Sequence, residues 1–253
     1  EMCIRDSYKA GGFNTQMFSD VLQQQVMKQM GFGSLYDVAD VVTYKPEKSW
    51  NYEVGAHLST PSHKVQADLA LFYIDCRDQQ LTVFPEGQVT GRLMTNAGRT
   101  RSFGGEASLL ATLWRNLDLQ VAYGYTRATF VKFDTGKADY AGNFIPYAPQ
   151  HTLYAGASYT LRTGWNWLEY VIFRVAANGA GRIYWNEANT FSQPFYALLE
   201  ASIRFEHRHW AVDVWGRNLT DTRYDTFYFM SIGNSFLQRG RPRTFGVSLS
   251  ITL

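Results

Sequence analysis

Strict alternation of apolar and polar residues in the closing segment Thr244 to Leu253 limits the folds open to this chain more than any other feature. Phe245, Val247, Leu249, Ile251 and Leu253 share one side of an extended strand, and Thr244, Gly246, Ser248, Ser250 and Thr252 share the other. The period of two recurs upstream. Leu117, Leu119, Val121, Tyr123 and Tyr125 alternate with Asp118, Gln120, Ala122, Gly124 and Thr126. Leu153 to Leu161 and Leu199 to Phe205 repeat the pattern, and Val65 to Tyr73 and Trp50 to Leu58 add two more apolar faces. Two solvents could have written this pattern: a soluble sandwich turns the apolar face to a core, whereas an outer-membrane barrel turns it to lipid and its polar face to the lumen. The stretch Trp167 to Val175 leaves its register open, because Glu169 shares parity with Val171 and Phe173.

The connections discriminate between the two. Pro61-Ser62-His63, Arg115-Asn116, Arg162 to Asn166 and Glu206 to His209 read as tight turns. They take turns with long polar, Gly-rich and aromatic loops at roughly Gly11 to Lys48, Phe130 to Gln150, Asn178 to Gln193 and Thr222 to Arg239; Pro85 to Gly91 is a brief member of the long class. Outer-membrane barrels sort their connections this way, with short periplasmic turns and long extracellular loops, and a soluble sandwich has no reason to. Strands of about 12 residues at roughly 3.3 Å each, tilted near 45°, cross about 28 Å, the thickness of a bilayer core. The reading is all-β: an antiparallel transmembrane β-barrel portion of about ten strands, the first at Ser7 to Phe13.

Composition supports the membrane. Aromatic residues make up 16% of the chain and charged ones only 18%, against about 25% charged in ordinary soluble domains. No run approaches the roughly 18 apolar residues a membrane helix needs, so crossing by helices is excluded. The net charge of +2, from basic residues scattered along the chain, gives no footprint for nucleic acid. Cys3 and Cys76 are too few for a disulfide framework.

The chain opens on Glu1 without the charged and apolar regions of an export signal, and so reads as a piece of a longer protein. Residues 1–6 fit nothing that follows and are set aside as an adapter-derived remnant, leaving 7–253 as barrel. Thr15 to Met30 breaks the strand pattern. Phe18, Val21, Leu22, Val26 and Met30 fall near helical spacing, so one short helix is predicted in the first long loop, as a ligand cap or a solvated insert.

Four stretches carry a family likeness: S-Y-K-A-G-G-F-N at Ser7 to Asn14, K-P-E-K-S-W-N-Y-E-V-G at Lys45 to Gly55, N-A-G-R-T-R-S-F-G-G-E at Asn96 to Glu106, and N-L-T-D-T-R-Y at Asn218 to Tyr224 with the closing G-R-P-R-T-F-G-V-S-L. In this order and spacing the chain resembles the C-terminal part of the TonB-dependent outer-membrane receptors, on their siderophore-receptor side. That resemblance implies a 22-stranded barrel closed by an N-terminal plug, of which the plug and about twelve strands lie outside this chain. It implies import of a scarce nutrient such as a ferric siderophore, energised through the TonB-ExbB-ExbD system. Outer-membrane lipids, lipopolysaccharide and the barrel assembly machinery would be its other partners, although the family's usual terminal aromatic is here Leu253. A passive porin-like channel would share every physical feature above.

Candidate residues follow from face and position. Glu53 and Glu106 fall on the polar parity, to face the lumen and bind a plug or to be hydrated. Gly55, Gly104 and Gly105 would permit a bend or close approach in a curved wall. Rings on the long loops, at Tyr184, Trp185, Tyr224, Phe227, Tyr228 and Phe229, either pack between loops or form a ligand surface, with Trp185, Tyr228 and Phe229 the binding candidates. Trp165, Trp167 and Trp210 sit beside short turns, as an interfacial girdle would. Arg239, Arg241 and Arg243 are either a solvated basic loop or a site for an anionic ligand or lipopolysaccharide phosphates. His207-x-His209 is the one histidine pair with zinc-ligand spacing, but it lies in a short turn where solvated side chains are expected, and Asp134 and Asp139 are spaced too loosely for calcium. No catalytic motif, metal site or cofactor is predicted, and no lumenal cluster of Ser, His and acid is apparent.

Overall fold

The computed structural model describes residues 2–14, 43–83, 93–114, 116–135, 138–231 and 234–252. The helix expected at Thr15 to Met30 and the loop Pro85 to Gly91 lie outside the described residues. Ten strands form one antiparallel sheet whose spatial order follows the chain: β1 (Met2–Lys9), β2 (Glu47–Ser59), β3 (Val65–Val83), β4 (Leu93–Trp114), β5 (Leu117–Lys132), β6 (His151–Trp165), β7 (Leu168–Ala180), β8 (Tyr196–His207), β9 (Trp210–Arg217) and β10 (Thr244–Ile251). Sequential hairpins make this order the least costly in loop closure, because each strand pairs with the one before it.

Register turns the alternation into a surface. Val54 stands opposite Leu71, Leu69 opposite Ala107, Leu109 opposite Val121 and Val121 opposite Ala155. Ala157 meets Val175, Phe173 meets Ile203, Ile203 meets Val214 and Val214 meets Val247. One apolar band therefore crosses all the strands from β2 to β10 without a slip. Among the described residues no second layer lies against it: Val247 is 68% exposed, Leu249 65% and Leu71 64%. A contiguous apolar face of that extent in water would drive association, and in lipid it is the ordinary barrel exterior. The opposite face is concave and polar.

The wall's two ends differ as expected. Turns at 61–64, 166–167 and 208–209 join strands on one rim. Beside them Trp165 and Trp167 stack at 5.3 Å, exposed, and Trp114 is exposed next to the turn at Asn116. Trp210 instead stacks its ring on His207 at 5.9 Å. Glu169 settles the open register of β7. It keeps the outward parity but lies one residue past the buried Leu168 at the turn, where water replaces lipid. Buried residues gather at the other rim, where Ala97, Ala128, Phe130, Phe133 and Ile145 pack under the loops.

Two local features shape the wall. Gly104 leaves room for the Phe72 ring, whose Cζ would come within 2.8 Å of a Cβ there. Residues 2–6, set aside on sequence, form most of β1: Met2 pairs with Val54 and Ile4 with Tyr52 through backbone bonds, with nearly every side chain of the strand exposed. The band's solvent can be tested at one depth. Val175→Arg, in mid-strand on the apolar face, is expected to lower folding stability in liposomes by about 2–4 kcal/mol. Ala176→Arg, on the concave face opposite Glu200, is expected to cost under about 1 kcal/mol, and equal costs in a denaturant titration would remove the lipid-facing assignment.

Candidate functional site

Among the described residues, three long loops crown the rim opposite the turns, within 133–150, 181–195 and 218–243. Side-chain amides tie them together by standing in for backbone partners. Asn189, at φ 55°, accepts from the Phe144 N–H at 2.7 Å and donates to the Phe144 carbonyl at 2.9 Å, closing both backbone groups of a residue on the next loop. Asn143 donates to the Glu187 carbonyl at 2.9 Å. The third loop joins through Gln193, whose buried side chain accepts from the Asp225 N–H at 2.8 Å. Within it, Asn218, buried at φ 49°, accepts from Thr222 N–H and donates to the carbonyls of Thr222 and Arg241. The N-L-T-D stretch is thus a structural clasp: the Asp221 N–H donates to the Asn218 carbonyl at 2.8 Å, closing a β-turn, and the Asn218 side chain holds both ends of the loop.

Rings fill the space between these ties. Tyr147 packs between Trp185 at 5.4 Å and Phe227 at 5.6 Å, and its hydroxyl donates to the Tyr228 carbonyl at 2.9 Å. Phe191 stacks on Tyr228 at 4.6 Å and Phe229 on Phe236 at 4.9 Å. Below them, Tyr196 stacks on Tyr224, whose ring lies flat over Gly240. Of the three ring candidates, Trp185 and Tyr228 are each 7% exposed and Phe229 is half-buried. The structure gathers all three into one loop-packing cluster around Tyr147, a residue that sequence reasoning missed. Asn189 and Gln193 were missed as well, and Asn218 was read only as the start of a family stretch. A short amide among turn formers was their one visible signal.

Under the loops the concave face holds a cavity of about 1000 Å³. Both Glu53 and Glu106 line it, together with His57, Asp68, Ser108, Thr152, Tyr154 and Asn178. A second hollow of about 480 Å³ nearer the turns is walled by Asp118, Arg174, Glu200, Asp213 and Arg217. Against expectation, the wall does bring Ser, His and acid together. His57 Nδ1 meets Asp68 Oδ1 at 2.5 Å, and Ser108 Oγ donates to Asp68 Oδ2 at 3.0 Å. The carboxylate sits between the other two, so the imidazole has no path to the hydroxyl proton, and the order needed for a nucleophile is missing. Three adjacent strands meet there in register, which no linear spacing in the sequence displays.

An open wall with an exposed apolar exterior, a polar concave face and a tied crown of loops on one rim has close counterparts. A family model described as TonB dependent receptor-like, beta-barrel matches residues 6–219. The chain belongs to that family. It is therefore part of an outer-membrane β-barrel. The pesticin receptor of Yersinia pestis is 28% identical over 218 residues, covering 84% of this chain and 30% of that protein. In structure, the ferric yersiniabactin uptake receptor FyuA from Yersinia pestis matches with a TM-score of 0.75 at 23% identity, over 99% of this chain and 34% of that one. The siderophore receptor PiuA from Acinetobacter baumannii matches with 0.64 at 18% identity, over 98% and 33%. The chain spans about a third of the length of these receptors.

Two measurements test the loop crown of this receptor wall. Asn189→Ala removes two bonds to Phe144 and puts a β-carbon residue without a local side-chain bond at positive φ. It is expected to cost about 1–3 kcal/mol locally, read as faster proteolysis within 138–150 and 181–195. Burial, then the Glu187 charge, pushes the Tyr147 phenol from 10.0 up to about 12. The sign follows: its contribution is fully present below pH 10 and is lost as pH rises through about 12. Absorbance titration of Tyr147→Phe is expected to lose a tyrosine that ionises late; an unchanged late phase would contradict the geometry.

Proposed function

We propose that this chain is the C-terminal portion of the barrel of a gated outer-membrane receptor. The receptor binds an extracellular ferric siderophore, or a similarly scarce nutrient, and passes it to the periplasm with energy relayed by TonB. The observation that carries this reading is the family match over 6–219, set on a wall whose loops are tied on one rim above a polar concave face. A structural relative named for ferric yersiniabactin uptake supports the ligand class.

The roles divide along the wall. Phe229, with its half-exposed ring, contacts the ligand, while the buried Trp185 and Tyr228 hold the loops that present it. Glu53 and Glu106 engage a plug lying in the lumen. Residues 1–5, ahead of the family match, stand outside the receptor sequence. In a strain carrying the full-length receptor, uptake of iron-loaded siderophore is expected to stop when the proton-motive force is collapsed; continued uptake would favour the passive channel. Phe229→Ser is expected to weaken ligand binding about tenfold with folded yield unchanged, whereas unaltered affinity would confine that ring to loop packing.

A further inference from the structure

The outward face of the wall changes chemistry at its loop end. Above the apolar band come rings in cross-strand succession, Tyr52 opposite Tyr73 and Tyr73 opposite Phe103, the two tyrosines 6.3 Å apart. Two pleats beyond them stand cations on four adjacent strands: Lys48 opposite Arg77, Arg77 opposite Arg99 and, across the β-bulge between Arg99 and Thr100, Lys132 opposite Arg99. All four are exposed. The Lys132 stem runs over Gly98, where a β-carbon would come within 3.5 Å of its Cγ.

Charge in this row is far from balanced. The Asp75 carboxylate takes the Arg99 fork at 2.7 and 2.9 Å, and Arg77 and Arg101 act on the same charge. Lys48 and Lys132 form no ion pair among the described residues. Like charges directly opposite one another destabilise a sheet. A row of them at one height therefore calls for an anion that bridges strands, and this height, just beyond an aromatic belt, is where lipid headgroups lie.

We infer that Lys48, Arg77, Arg99 and Lys132 bind the phosphate of a lipid headgroup in the leaflet nearest the loops. Phosphate suits the donor set, because guanidinium forks and ammonium groups from four strands can share its oxygens. A lipid fits better than free phosphate, because its acyl chains would run down over Tyr52, Tyr73 and Leu71 on the same face. The arginines weighed on sequence for this role are placed less well. Arg243 turns its guanidinium to the Leu219 carbonyl within the loop clasp.

The test is native mass spectrometry of the full-length receptor, delipidated in neutral detergent and titrated with bisphosphorylated lipid A. Each basic side chain is worth about fivefold in binding, so Lys48→Gln, Arg77→Gln and Lys132→Gln together are expected to weaken binding on the order of 100-fold. That set leaves the Arg99 to Asp75 pair intact. Dephosphorylated lipid A is expected to bind wild type as weakly as the triple variant does, and neutralising Arg239, Arg241 and Arg243 is expected to change nothing. Should the triple variant fail to fold, Arg77→Gln alone is expected to lose about fivefold. Full-strength binding by either variant, equal binding of dephosphorylated lipid, or displacement of the lipid by equimolar inorganic phosphate would overturn the assignment.

Discussion

The backbone hydrogen-bond ladder is the constraint on which everything else in this wall depends. In hydrocarbon no water can satisfy an N–H or C=O, and each one left open costs several kcal/mol. The strands must therefore pair along their whole membrane depth. Once they do, side chains have two destinations set by parity alone. A slip of one residue anywhere would exchange the faces of a strand and put its charged residues into lipid. The unbroken succession from Val54 through Leu71, Tyr123, Ala157 and Ile203 to Val247 follows from that penalty.

Above the membrane the physics reverses. Water can satisfy any backbone group, so pairing is optional and the loops need another source of order. They find it in amides that mimic backbone, such as Asn189 on Phe144, and in rings that exclude water from each other. Among the described residues the buried apolar cluster lies at this rim, where Ala97, Ala128 and Phe130 at the loop ends of β4 and β5 pack with Phe133 and Ile145. A barrel wall needs no interior core, because lipid takes up the apolar residues that a soluble protein would bury.

What the sequence revealed follows the same division. Period two in Leu117 to Thr126 or Thr244 to Thr252 is a local signal of a local constraint, so strands, turns and face were legible. Glu53 and Glu106 were placed on the concave side by parity alone. Tertiary meetings were not legible. His57, Asp68 and Ser108 meet only because three strands share a register. Tyr147 bridges loops 81 residues apart from its hydroxyl to the Tyr228 carbonyl. The rings at Trp185 and Tyr228 were recognised as loop aromatics, yet whether a ring faces solvent or a neighbouring loop depends on partners that no spacing encodes.

Read along the membrane normal, the outward face is a sequence of solvents matched by residue type. Trp165 and Trp167 meet the interface at the turns, aliphatic residues meet the hydrocarbon, Tyr52, Tyr73 and Phe103 meet the second interface, and Lys48, Arg77 and Arg99 stand in the polar layer beyond. Aromatic belts alone would fix the wall's height, since rings favour either interface equally. Sidedness needs an asymmetric element. The loops supply one through their size, and the basic row supplies another: cations in register on one rim tolerate only the membrane surface that brings them anions, so the wall's height and its direction are set by different residues on the same strands.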